Sequence, residues 1–162
     1  MVLAHRRSKS TLDVDPLVID PRGTVLQAAV DVAREQSLPA DWLNDEVTKI
    51  AILPYRPDSK AQVLFDSPYL VVTGASARHM LAMKVRTGCS RDEDDIKLLL
   101  RRLKVKTLQQ VRGVHQAAYP YDGIPWRSEE RVKDLIRIVW EQRGQGGQPP
   151  SHAQEGDGGT DR

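Results

Sequence analysis

Two carboxylates occupy alternate positions near the start of the chain, in the run Thr11-Leu12-Asp13-Val14-Asp15. Because residues i and i+2 of a β-strand project from the same face, Asp13 and Asp15 would present their side chains next to each other. Neighbouring carboxylates repel each other unless a positive charge lies between them, and a divalent cation such as Mg²⁺ suits that arrangement. The pair is therefore a candidate Mg²⁺ site. Two exposed acids at the end of a strand are the alternative interpretation.

Lys84 is a second candidate, because its position conflicts with its charge. It follows Met80 by four residues and Leu81 by three, which places its aliphatic stem on the apolar face of a predicted helix. A lysine on such a face is unusual. Its ammonium could extend past the apolar neighbours into water, or it could contact a phosphate group as a point charge. The sequence leaves both interpretations open.

Four acids cluster at the start of the next predicted helix, in the run Arg91-Asp92-Glu93-Asp94-Asp95-Ile96. The helix dipole favours acids in a first turn, which accounts for the cluster without any function. However, Asp92 and Asp95 lie in line with the apolar stripe of that helix, whereas the two acids between them point away from it. An unpaired carboxylate that faces the protein interior is costly. We therefore expect a partner for Asp92 and Asp95, either the Lys84 ammonium or a bound cation.

These candidates need a scaffold, which the hydrophobic spacing and the turn residues outline. Residues 11–19 alternate and are rich in β-branched side chains, which predicts a strand, although Pro16 limits it to an edge position or a bulge. Residues 61–66 and 69–73 predict a hairpin around Ser67-Pro68. Apolar spacing predicts helices over residues 24–36, 76–86, 90–103 and 107–118, and a last helix capped by Ser128. Capping boxes are predicted at three of these starts, from Thr24 with Gln27, Ser90 with Glu93 and Thr107 with Gln110. The sequence thus predicts a small α+β fold with a helical C-terminal half.

Composition limits the organisation and the function classes. The chain has 162 residues, a length that suits one domain. Its formal net charge of +2 is too small to indicate bulk nucleic-acid binding. The single Cys89 excludes an internal disulfide, and no apolar run reaches membrane-spanning or signal-peptide length. We therefore expect a cytoplasmic protein with no membrane partner. Residues 143–162 contain six Gly and two Pro but no Val, Ile, Leu or Met, so we expect one domain over residues 1–142 and a disordered tail.

The order and spacing of these motifs resemble the nucleotidyltransferase-fold proteins related to the AbiEii abortive-infection toxins, in particular a compact bacterial branch. The resemblance covers roughly residues 5–112. It rests on four stretches: Lys9-Ser10-Thr11-Leu12-Asp13-Val14-Asp15, Leu38-Pro39-Ala40-Asp41-Trp42-Leu43-Asn44, Leu81-Ala82-Met83-Lys84 and Arg91-Asp92-Glu93-Asp94-Asp95-Ile96. It implies a small mixed nucleotidyltransferase-like sheet with helices.

The resemblance also implies an activity, the Mg²⁺-dependent transfer of a nucleoside monophosphate from a nucleoside triphosphate to an acceptor. Asp13 and Asp15 would then be the Mg²⁺ ligands, and Lys84 would contact the triphosphate. Asp92 would be the fourth acid of the catalytic motifs. The nucleotide would also be bound by Ser10 and Thr11. Family members are commonly toxins that modify tRNA or another acceptor and are encoded beside an antitoxin. A tRNA or protein acceptor and an antitoxin protein are thus the implied partners.

The start of the chain departs from this family. Its members have a helix and a glycine-containing turn before the Asp-x-Asp strand, and the backbone N–H groups of that turn hold the triphosphate. Here only twelve residues precede Asp13, and none of them is glycine. We therefore expect an N-terminally truncated domain, with either a true start further upstream or a degenerate member of the fold. The alternative function is a non-catalytic module that binds a protein or RNA. Asp66 is the one candidate for a third strand carboxylate.

Overall fold

The computed structural model describes residues 21–44 and 53–141. Its elements in chain order are α1 Arg22–Gln36, β1 Gln62–Asp66, β2 Val71–Gly74, α2 Ala77–Thr87, a 3₁₀ turn Ser90–Asp92, α3 Glu93–Leu103, α4 Leu108–Ala118 and α5 Trp126–Trp140. Over these residues the fold is mixed α+β and dominated by helices, with a single two-stranded antiparallel sheet. The predicted helical C-terminal half is confirmed. The strand predicted over residues 11–19 and the tail from residue 143 lie outside the described residues.

The hydrophobic core lies among the last four helices. α2 packs against α3, α4 and α5, and α3 packs against α5. The most deeply buried side chains include Leu81, Val85, Ile96, Leu99, Leu100, Val111 and Val132. On α2 and α3 these residues recur at three- or four-residue spacing, as expected for a helix that buries one face. Each such side chain contributes about 1.5–3 kcal/mol through its removal from water. None of the described helices has the length and apolar character needed to cross a bilayer.

Three of the predicted helix starts involve capping boxes, and only the box at Thr107 is right. Thr107 caps α4 with the predicted box, in which its hydroxyl accepts from the Gln110 backbone N–H at 3.2 Å. The box predicted from Ser90 and Glu93 is wrong, because Ser90–Asp92 forms a 3₁₀ turn and α3 follows it without a side-chain cap. A tight turn of this kind is common before the first turn of an α-helix.

The capping positions of α1 and α5 each lie three residues before the predicted ones. Pro21, and not Thr24, is the capping residue of α1, and Pro125, and not Ser128, is the capping residue of α5. Proline has no N–H to leave unsatisfied and holds a restricted φ, so a helix can start after it without a side-chain cap. Ser128 instead lies inside the first turn of α5, where it is buried and its hydroxyl donates to the Val85 carbonyl oxygen.

β1 and β2 form the predicted hairpin. Their register pairs Gln62 with Gly74 and Asp66 with Val71, and an irregularity between Val63 and Phe65 places an extra residue in β1. Such a β-bulge leaves one residue of the strand unpaired. The turn is closed by Ser67, whose backbone N–H donates to the Leu70 carbonyl oxygen at 3.0 Å.

The chain on either side of the hairpin is fixed to the helices. The Tyr55 backbone N–H donates to the Ala118 carbonyl oxygen at 3.0 Å. The Asp58 carboxylate accepts from the Ser76 backbone N–H at 2.6 Å. Partial burial alone would raise the pKa of Asp58, but hydrogen bonds from backbone N–H groups, with that of Ser76 foremost, outweigh it and lower this pKa. The residues just before β1 and just before α2 are therefore held together at the base of the hairpin.

Candidate functional site

Lys84 lies on α2 one turn before the helix ends, against the start of α3. Its Nζ is 2.5 Å from Asp92 Oδ1 and 2.9 Å from Asp95 Oδ2. We refer to Lys84, Asp92 and Asp95 as the lysine–aspartate cluster. The prediction that Asp92 and Asp95 face the protein body is confirmed, and of the two partners left open for them, the structure shows Lys84.

The reversal of the chain between α2 and α3 creates this contact. Gly88 ends α2 with φ of 62°, a left-handed conformation that glycine adopts without a steric cost. A β-carbon at this position would lie 3.2 Å from the Ser128 β-carbon, so space also favours glycine. The Asp92 backbone N–H then donates to the Cys89 carbonyl oxygen at 3.1 Å in the 3₁₀ turn. As a result, α3 starts within reach of Lys84.

The cluster is largely enclosed. The exposed fractions of its side chains are 15% for Lys84, 23% for Asp92 and 5% for Asp95. Two carboxylates face one ammonium, so the three groups together carry one negative charge. Charges that are removed from water are screened only weakly by salt. The two acids between Asp92 and Asp95 behave differently, as predicted: Glu93 pairs with Arg131 on α5, and Asp94 pairs with Lys97 at the surface.

Cys89 and Arg91 lie at the edge of the cluster. Hydrogen bonds from Arg91, first from its backbone N–H and then from its side chain, lower the pKa of the Cys89 thiol. The same contact with Cys89, together with the nearby charge of Asp92, raises the pKa of Arg91. Arg91 therefore brings a positive charge to the exposed side of Asp92.

A second polar cluster, which the sequence analysis missed, joins α2 to the loop between α4 and α5. The Arg86 guanidinium lies 3.1 Å from the Asp122 carboxylate. The His115 ring stacks on the Tyr119 ring with 4.9 Å between centroids. Burial, assisted by the charge of Arg86, lowers the pKa of His115, and burial raises the pKa of Tyr119 to about 12. The available signal was the position of His115 four residues after the buried Val111, on the apolar side of α4.

The remaining predicted site residues fall into two groups. Asp13, Asp15, Ser10 and Thr11 lie outside the described residues. Asp66 ends β1 and is exposed.

Two carboxylates are the most that the lysine–aspartate cluster can offer to a cation, and both already contact Lys84. Over residues 21–44 and 53–141, no group of three or more His, Cys, Asp or Glu side chains is arranged to hold a metal ion. The described residues alone therefore do not fit Mg²⁺.

Fold and site together define a helix-dominated α+β protein in which a mostly enclosed lysine lies between two aspartates at a helix junction. Comparison of the chain with protein-family models, with curated proteins and with solved structures finds no match.

Proposed function

We propose that the protein is a Mg²⁺-dependent nucleotidyltransferase that transfers a nucleoside monophosphate from a nucleoside triphosphate to an RNA or protein acceptor. The observation that supports this proposal is the contact between Lys84 and Asp92 at the junction of α2 and α3. These are the two described residues to which the family resemblance assigns the triphosphate contact and the fourth catalytic acid. They lie on different elements, yet their side chains are adjacent.

The ammonium of Lys84 has the chemistry that the proposed role requires. An ammonium group has three N–H donors. Asp92 accepts from one of them and Asp95 pairs with the same ammonium at 2.9 Å, so these two acids engage at most two of the three. The two carboxylates hold the flexible lysine stem in one orientation before any nucleotide binds. Positioned charge of this kind stabilises the negative charge that develops as the pyrophosphate leaves. Lys84 is thus the proposed triphosphate contact, with Asp95 as its positioning residue.

Asp13 and Asp15 complete the proposed site as the ligands of Mg²⁺. When bound, the cation would neutralise the triphosphate and help to orient it for in-line attack.

A non-catalytic module that binds a protein or RNA is the second candidate. The observation that favours it is the same cluster, because two carboxylates that satisfy one ammonium also act as a structural link between α2 and α3. In this case Lys84 would stabilise the fold and would contact no nucleotide.

Transfer of labelled nucleotide distinguishes the two candidates. Each of the four ribonucleoside triphosphates is incubated with Mg²⁺, bulk tRNA and the full chain, and label is followed in RNA and in protein. We expect transfer by the wild type and its loss in Asp13→Asn and Lys84→Ala. Lys97→Ala is the matched control, since Lys97 also pairs with an aspartate but on the surface of α3. No transfer with any nucleotide would reject the enzyme in favour of the binding module, and equal transfer by wild type and Asp13→Asn would reject the role proposed for Asp13.

Melting in the presence of Mg²⁺ tests the metal site without requiring catalysis. A cation that binds only the folded chain stabilises it by about 2.7 kcal/mol at a hundred times its Kd. We expect the wild type to gain stability with Mg²⁺ and the double variant Asp13→Asn, Asp15→Asn to gain none. Equal gains in both proteins would show that Mg²⁺ binds elsewhere.

A further inference from the structure

The positive charge of the chain is concentrated in residues 96–121, which cover most of α3, the connection to α4, and α4 itself. This segment of 26 residues has six Lys and Arg and no acid, whereas the other 136 residues have 18 Lys and Arg against 22 Asp and Glu. Two of the six cations are paired with acids outside the segment, since Lys97 contacts Asp94 and Arg112 contacts Glu129.

Three further cations of this segment lie where the chain reverses between α3 and α4. They are Arg101, Lys104 and Lys106, which we call the basic turn. The Lys104 N–H donates to the Arg101 carbonyl oxygen at 3.1 Å, so the chain folds back directly after α3 and keeps these residues close together. All three are exposed. Within residues 21–44 and 53–141, none of them forms an ion pair with an acid.

The backbone of the basic turn is fixed to the core. Val105 lies between Lys104 and Lys106 and is buried. Its N–H donates to the Leu100 carbonyl oxygen at 2.9 Å, and its carbonyl oxygen accepts from the Trp140 indole N–H at 2.8 Å. The cations therefore extend from a backbone that is already ordered, which lowers the entropic cost of binding a ligand.

Helix dipoles account for only part of this charge. Arg101 lies in the last turn of α3, where the dipole favours a cation. Lys106 directly precedes Thr107, the capping residue of α4, where the positive end of the dipole disfavours a cation. The ammonium of Lys106 lies 5.3 Å from the centre of the Trp140 ring, a contact that offsets about 0.5–1 kcal/mol at an exposed site. An anionic partner would offset the repulsion that remains among the three cations.

The side chains around the basic turn distinguish between classes of anionic partner. Leu100 and Val105 are buried, and Leu103 and Leu108 are partly buried against the core. Helices that lie on a membrane surface insert exposed apolar side chains, and protein interfaces have a buried centre enriched in aromatic residues. Interfaces with nucleic acids are more polar and much more positive. The basic turn therefore has the composition of a nucleic-acid interface.

We infer that the basic turn binds RNA through its phosphate backbone. The planar guanidinium of Arg101 suits a phosphate group that accepts two parallel hydrogen bonds, and Lys104 and Lys106 contact phosphates as point charges. RNA is chosen over DNA because RNA is an acceptor of the proposed transferase, and in this choice the inference rests on the proposed function. The contact with phosphates requires no catalysis, so binding and transfer can be measured separately.

Binding of fluorescently labelled bulk tRNA to the full chain, followed by anisotropy in EDTA without nucleoside triphosphate, tests the inference. Contacts with three phosphates give a slope of about −2 to −3 in log K against log salt concentration, so affinity should fall about twenty- to fortyfold between roughly 50 and 200 mM salt. The variant Arg101→Gln, Lys104→Gln, Lys106→Gln should bind at least about tenfold more weakly at the lower salt concentration and lose most of this slope.

The variant Lys97→Gln, Arg112→Gln, Lys133→Gln is the matched control. It removes the same three charges, but from side chains that already pair with acids. We expect it to keep the wild-type salt slope. Far-ultraviolet circular dichroism checks that both variants are folded. If the basic-turn variant is not, Arg101→Gln alone replaces it and should reduce the slope by about 0.7–0.9, the contribution of one phosphate.

Four results would overturn the inference: no binding of tRNA by the wild type, equal losses in the basic-turn variant and the control, tighter binding of DNA of the same length, and tighter binding of poly-L-glutamate of the same charge. The last would assign the basic turn to an acidic protein. Failure of the proposed function gives a different result. Binding of tRNA that depends on the basic turn, without any nucleotide transfer, supports the inference and rejects the enzyme. Transfer by a chain whose RNA binding ignores the basic turn rejects the inference alone.

Discussion

Replacing Lys84 by methionine removes the ammonium from between Asp92 and Asp95 while it keeps most of the side-chain length. The two carboxylates then face each other in a partly desolvated space. Removing one partner of a buried ion pair costs about 3–5 kcal/mol, because the other charge is left uncompensated. Asp95 fits that case with 5% of its side chain exposed, whereas Asp92 at 23% can still be hydrated.

We therefore expect Lys84→Met to lower the free energy of unfolding by about 2–3 kcal/mol near neutral pH, slightly less than the cost of breaking a fully buried ion pair. For a folded unit of this size, such a loss lowers Tm by about 8–12 °C. Urea denaturation followed by far-ultraviolet circular dichroism measures the change. The second substitution Asp95→Asn, added to Lys84→Met, removes one of the opposed charges and should restore part of the stability.

Lys97→Met is the control for this prediction. Lys97 lies 3.1 Å from Asp94, whose side chain is 71% exposed, and surface pairs at this spacing contribute no more than about 0.5 kcal/mol. If Lys84→Met and Lys97→Met destabilise the protein equally, the lysine–aspartate cluster is as hydrated as a surface pair. A further loss, in place of a recovery, on adding Asp95→Asn would refute the argument from uncompensated charge.

Three further predictions follow from the packing and from the buried titratable groups. Gly88→Ala should cost about 1–2 kcal/mol, because of its positive φ and the close β-carbon on α5. Gly113→Ala on α4, where a β-carbon would meet nothing within 4 Å, should stabilise the protein by about 0.5–1 kcal/mol. Equal urea midpoints for Gly88→Ala and Gly113→Ala would contradict both expectations. The folded-state pKa of His115 is lowered, so the unfolded chain takes up the proton first as the pH falls below 6.5. The free energy of unfolding should therefore fall as the pH falls below 6.5, and this fall should be smaller in His115→Phe when both proteins are measured by urea denaturation. An equal fall in both proteins would argue against burial of a neutral ring. The pKa of Tyr119 is raised from 10 to about 12, so the unfolded chain ionises first in alkali and stability should fall across this interval. Tyr119→Phe should remove that fall, and its persistence would assign it to another group.

The lysine–aspartate cluster could be predicted from the sequence because the signals that build it are local. Lys84 falls on an apolar face at helical spacing, Gly88 marks the end of its helix, and Asp92 and Asp95 line up with the next apolar stripe. Each signal depends on residues within one or two turns. The short connection between the helices then leaves few ways to join them.

The second polar cluster could not be predicted in the same way, because its partners are far apart in the chain. Arg86 and Asp122 are 36 residues apart, and their contact depends on the path of the loop between α4 and α5. Ser128 shows a different limit. A serine near the start of a helix is either its capping residue or a buried hydrogen-bond donor inside the first turn. Here Pro125 already starts the helix, so Ser128 is the buried donor.

The bond between Asp58 and Ser76 closes the hairpin at its base, so the strands form a loop whose ends are already fixed to the helices. Lengthening such a loop costs little, since each doubling adds only about 0.6 kcal/mol of closure entropy. The tip beside Tyr69, with 96% of that residue exposed, is therefore a place where the chain can accept extra residues. A peptide tag or a protease recognition sequence inserted between Pro68 and Tyr69 would leave the start of α2, and with it Lys84, where they are.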